Sequence, residues 1–122
     1  MTAQMLELPE PLNLIGGEWV GATSGRKLDV VSPSDGKVFA SIAAGESRDI
    51  DRAVTAARHA FEEGEWGTLT ALQRGRLLVK VSELITRDAE ELAQIESLDT
   101  GKPTSQARAD MVAAARYFEF YG

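Results

Sequence analysis

The chain has 122 residues, enough for one small domain, and its 43% hydrophobic and 26% charged residues are typical of a globular protein. With 19 acidic and 13 basic residues its formal net charge is −6. An acidic chain repels phosphates, so a nucleic-acid partner is not expected. The sequence contains no apolar stretch near the roughly 18 residues that a membrane span needs, and no signal-peptide pattern at its N-terminus. We therefore expect a cytoplasmic protein without a membrane partner.

Residue types that commonly act in catalysis or metal binding are scarce in this sequence. The chain has no cysteine, which excludes disulfides, cysteine metal sites and a cysteine nucleophile among these residues. His59 is the single histidine, so a histidine metal cluster is excluded, and we expect it on a helix surface. Trp19 and Trp66 are expected to pack as hydrophobic anchors. Neither common glycine-rich phosphate loop occurs. From the residues alone, no catalytic residue and no cofactor-binding residue is predicted.

The first third of the chain has the pattern of β-structure. Residues 1–11 contain two prolines and no periodicity, which predicts an N-terminal arm. Gly16 and Gly17 separate two short apolar runs, as in a two-residue hairpin turn. Residues 33–36, Pro-Ser-Asp-Gly, predict a second turn. The strand-like segments around that turn are 28–31 and 37–42. Residues 12–43 are therefore predicted to form one or two β-hairpins.

The hydrophobic period then changes from 2 to 3.6, which predicts four amphipathic helices over residues 47–121. Cap residues give their approximate bounds. The first helix is predicted to begin after an N-cap at Ser47 and to stop at Gly64, and the second to begin with a capping box of Thr70 and Gln73. The third is predicted to start at Asp88 and to end in a left-handed cap at Gly101, and the fourth to run from about Thr104 to Tyr121. The chain as a whole is thus expected to be an α+β piece, with hairpins followed by helices.

Several segments, taken in order and at their spacing, form a recognisable series over residues 12–122. They include residues 15–19 (Ile-Gly-Gly-Glu-Trp), 31–36 (Val-Ser-Pro-Ser-Asp-Gly), 49–54, 74–78, 98–103 (Leu-Asp-Thr-Gly-Lys-Pro) and 115–122. This series resembles the start of the aldehyde dehydrogenase superfamily, and is most similar to its betaine aldehyde dehydrogenases. The Gly-Gly hairpin and residues 98–103 are its most specific parts.

The resemblance implies an α/β parent fold with a Rossmann-like cofactor domain. Such enzymes oxidise aldehydes to acids with NAD or NADP, using a cysteine nucleophile and a glutamate that activates water. Those groups lie beyond the matching segment. Residues 12–122 would then be an incomplete, N-terminal part of the cofactor domain, with hairpins over 12–43 and helices over 47–121. Its partners would be the rest of the chain, an aldehyde substrate and, when complete, further copies in a homo-oligomer. The 122-residue chain alone is expected to be inactive.

The resemblance also implies one metal site. Many family members hold a structural monovalent cation, and the matching positions here are the backbone carbonyls of Val30 and Val31 and the carboxylate of Asp99. These hard oxygen ligands suit K⁺ or Na⁺. The alternative for Asp99 is a helix-end carboxylate that accepts hydrogen bonds from local amides.

A second function remains open for the whole chain. The four predicted helices each carry an apolar stripe, so the chain could be a non-catalytic, truncated module that binds a partner through exposed helix faces.

Overall fold

The computed structural model describes residues 10–122, so most of the predicted N-terminal arm lies outside the described residues. Two hairpins precede four helices, which confirms the expected architecture. The strands are β1 (Asn13–Ile15), β2 (Glu18–Val20), β3 (Lys27–Val31) and β4 (Val38–Ala43). The helices are α1 (Ser47–Glu62), α2 (Ala71–Arg87), α3 (Ala89–Thr100) and α4 (Thr104–Tyr121), with a short 3₁₀ turn at Glu65–Thr68 that the sequence analysis did not predict.

The described residues form two compact units. The first comprises residues 10–31 and 37–67 and contains both hairpins and α1. The second comprises residues 68–122, hence α2, α3 and α4, together with the turn at residues 32–36. Each unit is described separately below.

The hairpins of the first unit form as their turn residues predict. In the β1–β2 pair, Asn13 lies opposite Val20, and the turn glycines have positive φ angles of 63° at Gly16 and 83° at Gly17. A two-residue turn whose twist matches the strands needs such angles, and glycine adopts them without a Cβ penalty. The β3–β4 pair is also antiparallel, with a register irregularity at Val30 and Val31.

The start of α1 differs from the prediction by one residue. Ser47 is the first helical residue, and Glu46 is the N-cap. The carboxylate of Asp49 explains the shift, because it accepts a hydrogen bond of 3.0 Å from the backbone N–H of Glu46. A third-position acidic side chain that reaches back to the cap residue is half of a capping box.

The cap prediction for α2 is confirmed. The N–H of Gln73 donates to Thr70 Oγ1 at 3.3 Å, and the N–H of Thr70 donates to Gln73 Oε1 at 2.8 Å. Asp88 precedes α3 as predicted, but its side chain caps nothing and instead pairs with Arg87 at 2.7 Å.

Small residues make up the buried apolar interior of the described part of the chain. Ala93 and Ala107 of the second unit are fully buried, and the other buried apolar residues are Ala44 and Ala115. Several larger apolar side chains are exposed on helix surfaces, among them Ile50, Val54 and Phe61 of α1. The expectation for the tryptophans was wrong, since Trp19 is 66% and Trp66 49% exposed. Within the described residues, no helix is long and apolar enough to cross a membrane.

Candidate functional site

The corner between α3 and α4, residues 97–104, carries the most specific sequence segment and one of the predicted cation ligands. Gly101 ends α3 in the left-handed conformation, with φ of 75°, as predicted. Ser97 Oγ donates to the carbonyl oxygen of Lys102 at 2.8 Å, and Thr100 Oγ1 donates to that of Glu96 at 2.7 Å. The first bond joins α3 to the loop that precedes α4, and the second lies within the last turn of α3.

Lys102 joins the two helices at this corner. Its Nζ lies 2.6 Å from a carboxylate oxygen of Glu96 on α3 and 2.9 Å from one of Asp110 on α4. Hydrogen bonds to Glu96 and then Asp110 raise the pKa of Lys102, because both favour the charged ammonium. The lysine side chain is 26% exposed. It therefore acts as a charged brace between α3 and α4.

The turn at residues 32–36 packs against the same corner. A Cβ placed on Gly101 would lie 2.9 Å from Pro33 Cγ, closer than side-chain atoms normally approach. Gly101 is thus required both for its left-handed backbone and for this close approach. Within the turn, Ser32 is buried, and its Oγ accepts from the N–H of Ser34 at 3.3 Å.

Asp99 lies in the last turn of α3, and its side chain is exposed. Neither a hydrogen bond nor an ion pair involves it within the described residues, so the alternative of bonding to local amides is not seen there. Val30 is half-buried on β3, and Val31 is exposed at the register irregularity. Val30 and Val31 belong to the first unit and Asp99 to the second. Joint ligation of a cation by these three residues stays a prediction.

No cluster of three or more His, Cys, Asp or Glu side chains suited to a metal occurs within residues 10–122. The ligand set predicted above has one carboxylate and two backbone carbonyls, so it is a different kind of site. Its oxygen donors suit an alkali cation and would bind a transition metal poorly.

The first unit contains a polar centre that the sequence analysis missed. Asp49 is only 2% exposed, and its carboxylate accepts from the N–H of Thr23 and of Glu46, each at 3.0 Å, and from the Thr23 hydroxyl. The pKa of Asp49 is lowered, first by the Glu46 backbone hydrogen bond and then by the Thr23 hydroxyl. This carboxylate fastens the loop after β2 to the start of α1. The local signal was the position of Asp49 three residues after Glu46, the spacing of a capping box.

Two further acidic side chains form ion pairs along α1. Glu62 pairs with Arg58 at 3.0 Å, and Glu63 pairs with His59 at 3.4 Å, each one turn apart on α1. All four side chains are more than half exposed, which confirms the surface position predicted for His59. Such pairs are solvated helix contacts of small energetic effect.

With this geometry in view, the sequence matches the model of the aldehyde dehydrogenase family over residues 19–122. A betaine aldehyde dehydrogenase from Bacillus subtilis (strain 168) is 42% identical over 107 residues, a stretch that spans 88% of this chain and 22% of that protein.

Solved structures show the same likeness. A betaine aldehyde dehydrogenase from Staphylococcus aureus, solved with NAD⁺, has a TM-score of 0.91 and 34% identity over 97% of this chain and 24% of its own. A candidate aldehyde dehydrogenase from Burkholderia cenocepacia is 55% identical, with a TM-score of 0.84 over 88% of this chain and 23% of its own. The chain thus spans about a quarter of the length of these relatives, and it corresponds to their N-terminal part. It belongs to the aldehyde dehydrogenase family.

Proposed function

We propose that this chain is the N-terminal portion of an NAD(P)-dependent enzyme that oxidises aldehydes to carboxylic acids. The likeness to an NAD⁺-bound betaine aldehyde dehydrogenase, over 97% of the chain at a TM-score of 0.91, is the observation that carries the proposal. A cytoplasmic location and a homo-oligomeric assembly of the complete enzyme go with it as predictions.

In this proposal the chain supplies scaffold, and the rest of the polypeptide supplies the chemistry. The 122 residues contain no cysteine to attack an aldehyde carbonyl. They also do not fit a dinucleotide, because the sequence has no glycine-rich phosphate loop. The exposed concave surface on α4 is lined mainly by apolar and aromatic side chains, which offer a pyrophosphate few hydrogen-bond donors. The scaffold includes the α3–α4 corner, where Lys102 bridges the two helices.

Two assays test the proposal. The chain alone should give no NADH or NADPH above background with a panel of aldehydes that includes betaine aldehyde. The second assay uses a chimera in which residues 1–122 replace the matching segment of the Bacillus subtilis betaine aldehyde dehydrogenase. This chimera should oxidise aldehydes. Turnover by the rigorously purified chain would contradict the division of roles. A stably folded chimera that binds NAD⁺ but oxidises no aldehyde would contradict the proposed activity.

We further propose that the complete enzyme holds a structural K⁺ or Na⁺ on the carbonyls of Val30 and Val31 and the carboxylate of Asp99. The family resemblance supports this assignment. A carboxylate in the last turn of a helix faces the negative end of the helix dipole. An alkali cation between that carboxylate and exposed carbonyls would replace the repulsion between these negative groups by their attraction to the ion.

Asp99→Ala in the active chimera tests the cation site. We expect a lower melting temperature and a weaker response of that temperature to K⁺ or Na⁺, with the turnover number changed less than about twofold, since the proposed ion stabilises the fold and takes no part in the reaction. Glu91→Ala is the matched control, because Glu91 is also an exposed carboxylate on α3. An Asp99→Ala protein whose salt response equals that of the parent would show that no cation is held there.

A further inference from the structure

Residue 102 is joined to the end of α3 through both its side chain and its backbone. Lys102 Nζ lies 2.6 Å from a carboxylate oxygen of Glu96, and the carbonyl oxygen of Lys102 accepts a hydrogen bond of 2.8 Å from the Ser97 hydroxyl. The backbone N–H of Gly101 donates to the carbonyl oxygen of Ser97 at 3.0 Å. These bonds close residues 96–102 into a short loop, here named the 96–102 ring. Asp99 lies within this ring.

The 96–102 ring is also fastened to α4. Lys102 Nζ donates to a carboxylate oxygen of Asp110 at 2.9 Å, and the hydroxyl oxygens of Ser97 and Thr104 lie 3.4 Å apart. Asp110 and Thr104 both belong to α4, so the ring is held by both helices of the corner. A backbone segment with cross-links at its two ends has few alternative conformations. The backbone of Asp99 is therefore held in one position relative to α3 and α4.

The charges at this corner leave an excess of negative charge around Asp99. One ammonium group, that of Lys102, is shared by the carboxylates of Glu96 and Asp110. Asp99 itself forms no ion pair within residues 10–122. Together these four side chains carry one positive and three negative charges, next to the negative end of the α3 dipole. A cation bound by Asp99 would offset part of this excess.

We propose that Lys102 is a positioning residue for Asp99, an inference that rests on the cation site proposed above. Lys102 would not contact the ion. It closes the 96–102 ring, so that the Asp99 carboxylate can bind an alkali cation without the end of α3 first having to become ordered. Replacing a residue that orients a metal ligand typically changes metal affinity by about 10–100-fold.

Positioning and simple electrostatics predict opposite effects of removing this lysine. Loss of a positive charge near Asp99 would strengthen the attraction of the corner for a cation. Loss of the ring closure would weaken cation binding, because the ordering of the segment would then have to accompany binding. The direction of the change in cation affinity therefore separates the two explanations.

The chimera described above supplies the test. Its melting temperature is measured against KCl concentration at constant ionic strength, with N-methylglucamine chloride as the balancing salt, and an apparent dissociation constant for K⁺ is fitted to the rise. We expect Lys102→Met to raise this constant about tenfold. Lys102→Arg should keep it within about twofold, because a guanidinium can also bridge two carboxylates. Lys80→Met, at an exposed position of α2, is the matched control and should leave the constant unchanged.

A charge-neutral variant tests the 96–102 ring without changing its electrostatics. Ser97→Ala removes the hydrogen bond to the Lys102 carbonyl, and we expect it to raise the K⁺ constant about threefold. Ser105→Ala, at an exposed position of α4, is its control.

A second measurement needs neither K⁺ nor the chimera. In the 122-residue chain, Lys102→Met should speed deuterium exchange of the Gly101 amide about tenfold, while the amides of α2 exchange as before.

Three outcomes would overturn the inference. One is a K⁺ constant that Lys102→Met leaves unchanged or lowers, in a chimera whose melting temperature depends on K⁺ through Asp99. Another is exchange of the Gly101 amide that Lys102→Met does not alter. A third is a salt response that Asp99→Ala does not change, which would refute the cation site and this inference with it. A chimera that responds to K⁺ but oxidises no aldehyde would refute the proposed dehydrogenase activity and leave the role of Lys102 standing.

Discussion

The two units of the chain fill their interiors in opposite ways. Among the described residues of the first unit, the largest side chain that is almost completely buried is a carboxylate, Asp49, which accepts several hydrogen bonds. In the second, Ala93 and Ala107 are fully buried, and α4 packs closely on both α2 and α3. The stability of a polar interior depends on the number and direction of its hydrogen bonds. The stability of an alanine interior depends on how closely its small side chains fill the available volume.

That difference predicts which substitutions each unit tolerates. A small interior should resist added volume and tolerate changes of charge on its surface. A hydrogen-bonded carboxylate should resist loss of charge even where the shape of the side chain is kept. The predictions below follow this contrast from the largest expected effect to the smallest.

Ala107→Leu should be the most damaging of these substitutions. Three additional carbon atoms at a fully buried position of α4 force its neighbours apart, and overpacking of this kind lowers the free energy of unfolding by about 1–3 kcal/mol. Urea unfolding measures the loss. Ala109→Leu is the control, because Ala109 is exposed on the same helix. Equal stabilities of the two variants would show that the alanine interior of the second unit is not tightly packed.

Asp49→Asn should open the first unit locally. An amide has the shape of the carboxylate but places its own N–H₂ donor against donors from Thr23 and Glu46. We expect the Thr23 and Glu46 amides to exchange with deuterium about tenfold faster, while α2, α3 and α4 exchange as before. Asp51→Asn, an exposed change on the same helix, is the control. Unchanged exchange at Thr23 would mean that Asp49 does not fasten the loop.

The smallest effect concerns an exposed ion pair of the second unit. Arg108 Nε and a terminal guanidinium nitrogen donate to both carboxylate oxygens of Glu90, at 2.8 and 2.6 Å. These bonds from Arg108, helped by Gln94, lower the pKa of Glu90 to about 2. Because the pKa falls on folding, the pair stabilises the unit above the ordinary glutamate pKa, and this contribution is lost as the pH falls towards 2.

Carboxyl NMR titration tests this pair. Glu90 should titrate near pH 2, and Arg108→Gln should return its midpoint towards the ordinary glutamate range. Arg116→Gln removes an arginine that is not paired with Glu90 and should leave the midpoint in place. Both side chains of the pair are more than half exposed, so added salt should weaken the effect. A Glu90 midpoint that is insensitive to Arg108→Gln would contradict the pairing.

The sequence alone determined the order and the bounds of most elements, because their signals lie within a few residues of each other. The turn at Gly16 and Gly17, the Thr70 and Gln73 capping box and the left-handed Gly101 are all settled by local geometry. Each depends on an intrinsic backbone preference or on a contact within one helical turn. The family resemblance followed from the same local segments in their order.

Only the tertiary structure decided what the side chains do across longer distances. Asp49 is buried where the loop after β2 packs on the start of α1, and Thr23, 26 residues earlier, donates to its carboxylate. Ala107, Ala115 and Phe118 lie on the predicted apolar stripe of α4, yet only the two alanines are buried, and Phe118 is 38% exposed. Periodicity shows which residues share a helix face, whereas burial depends on what packs against that face.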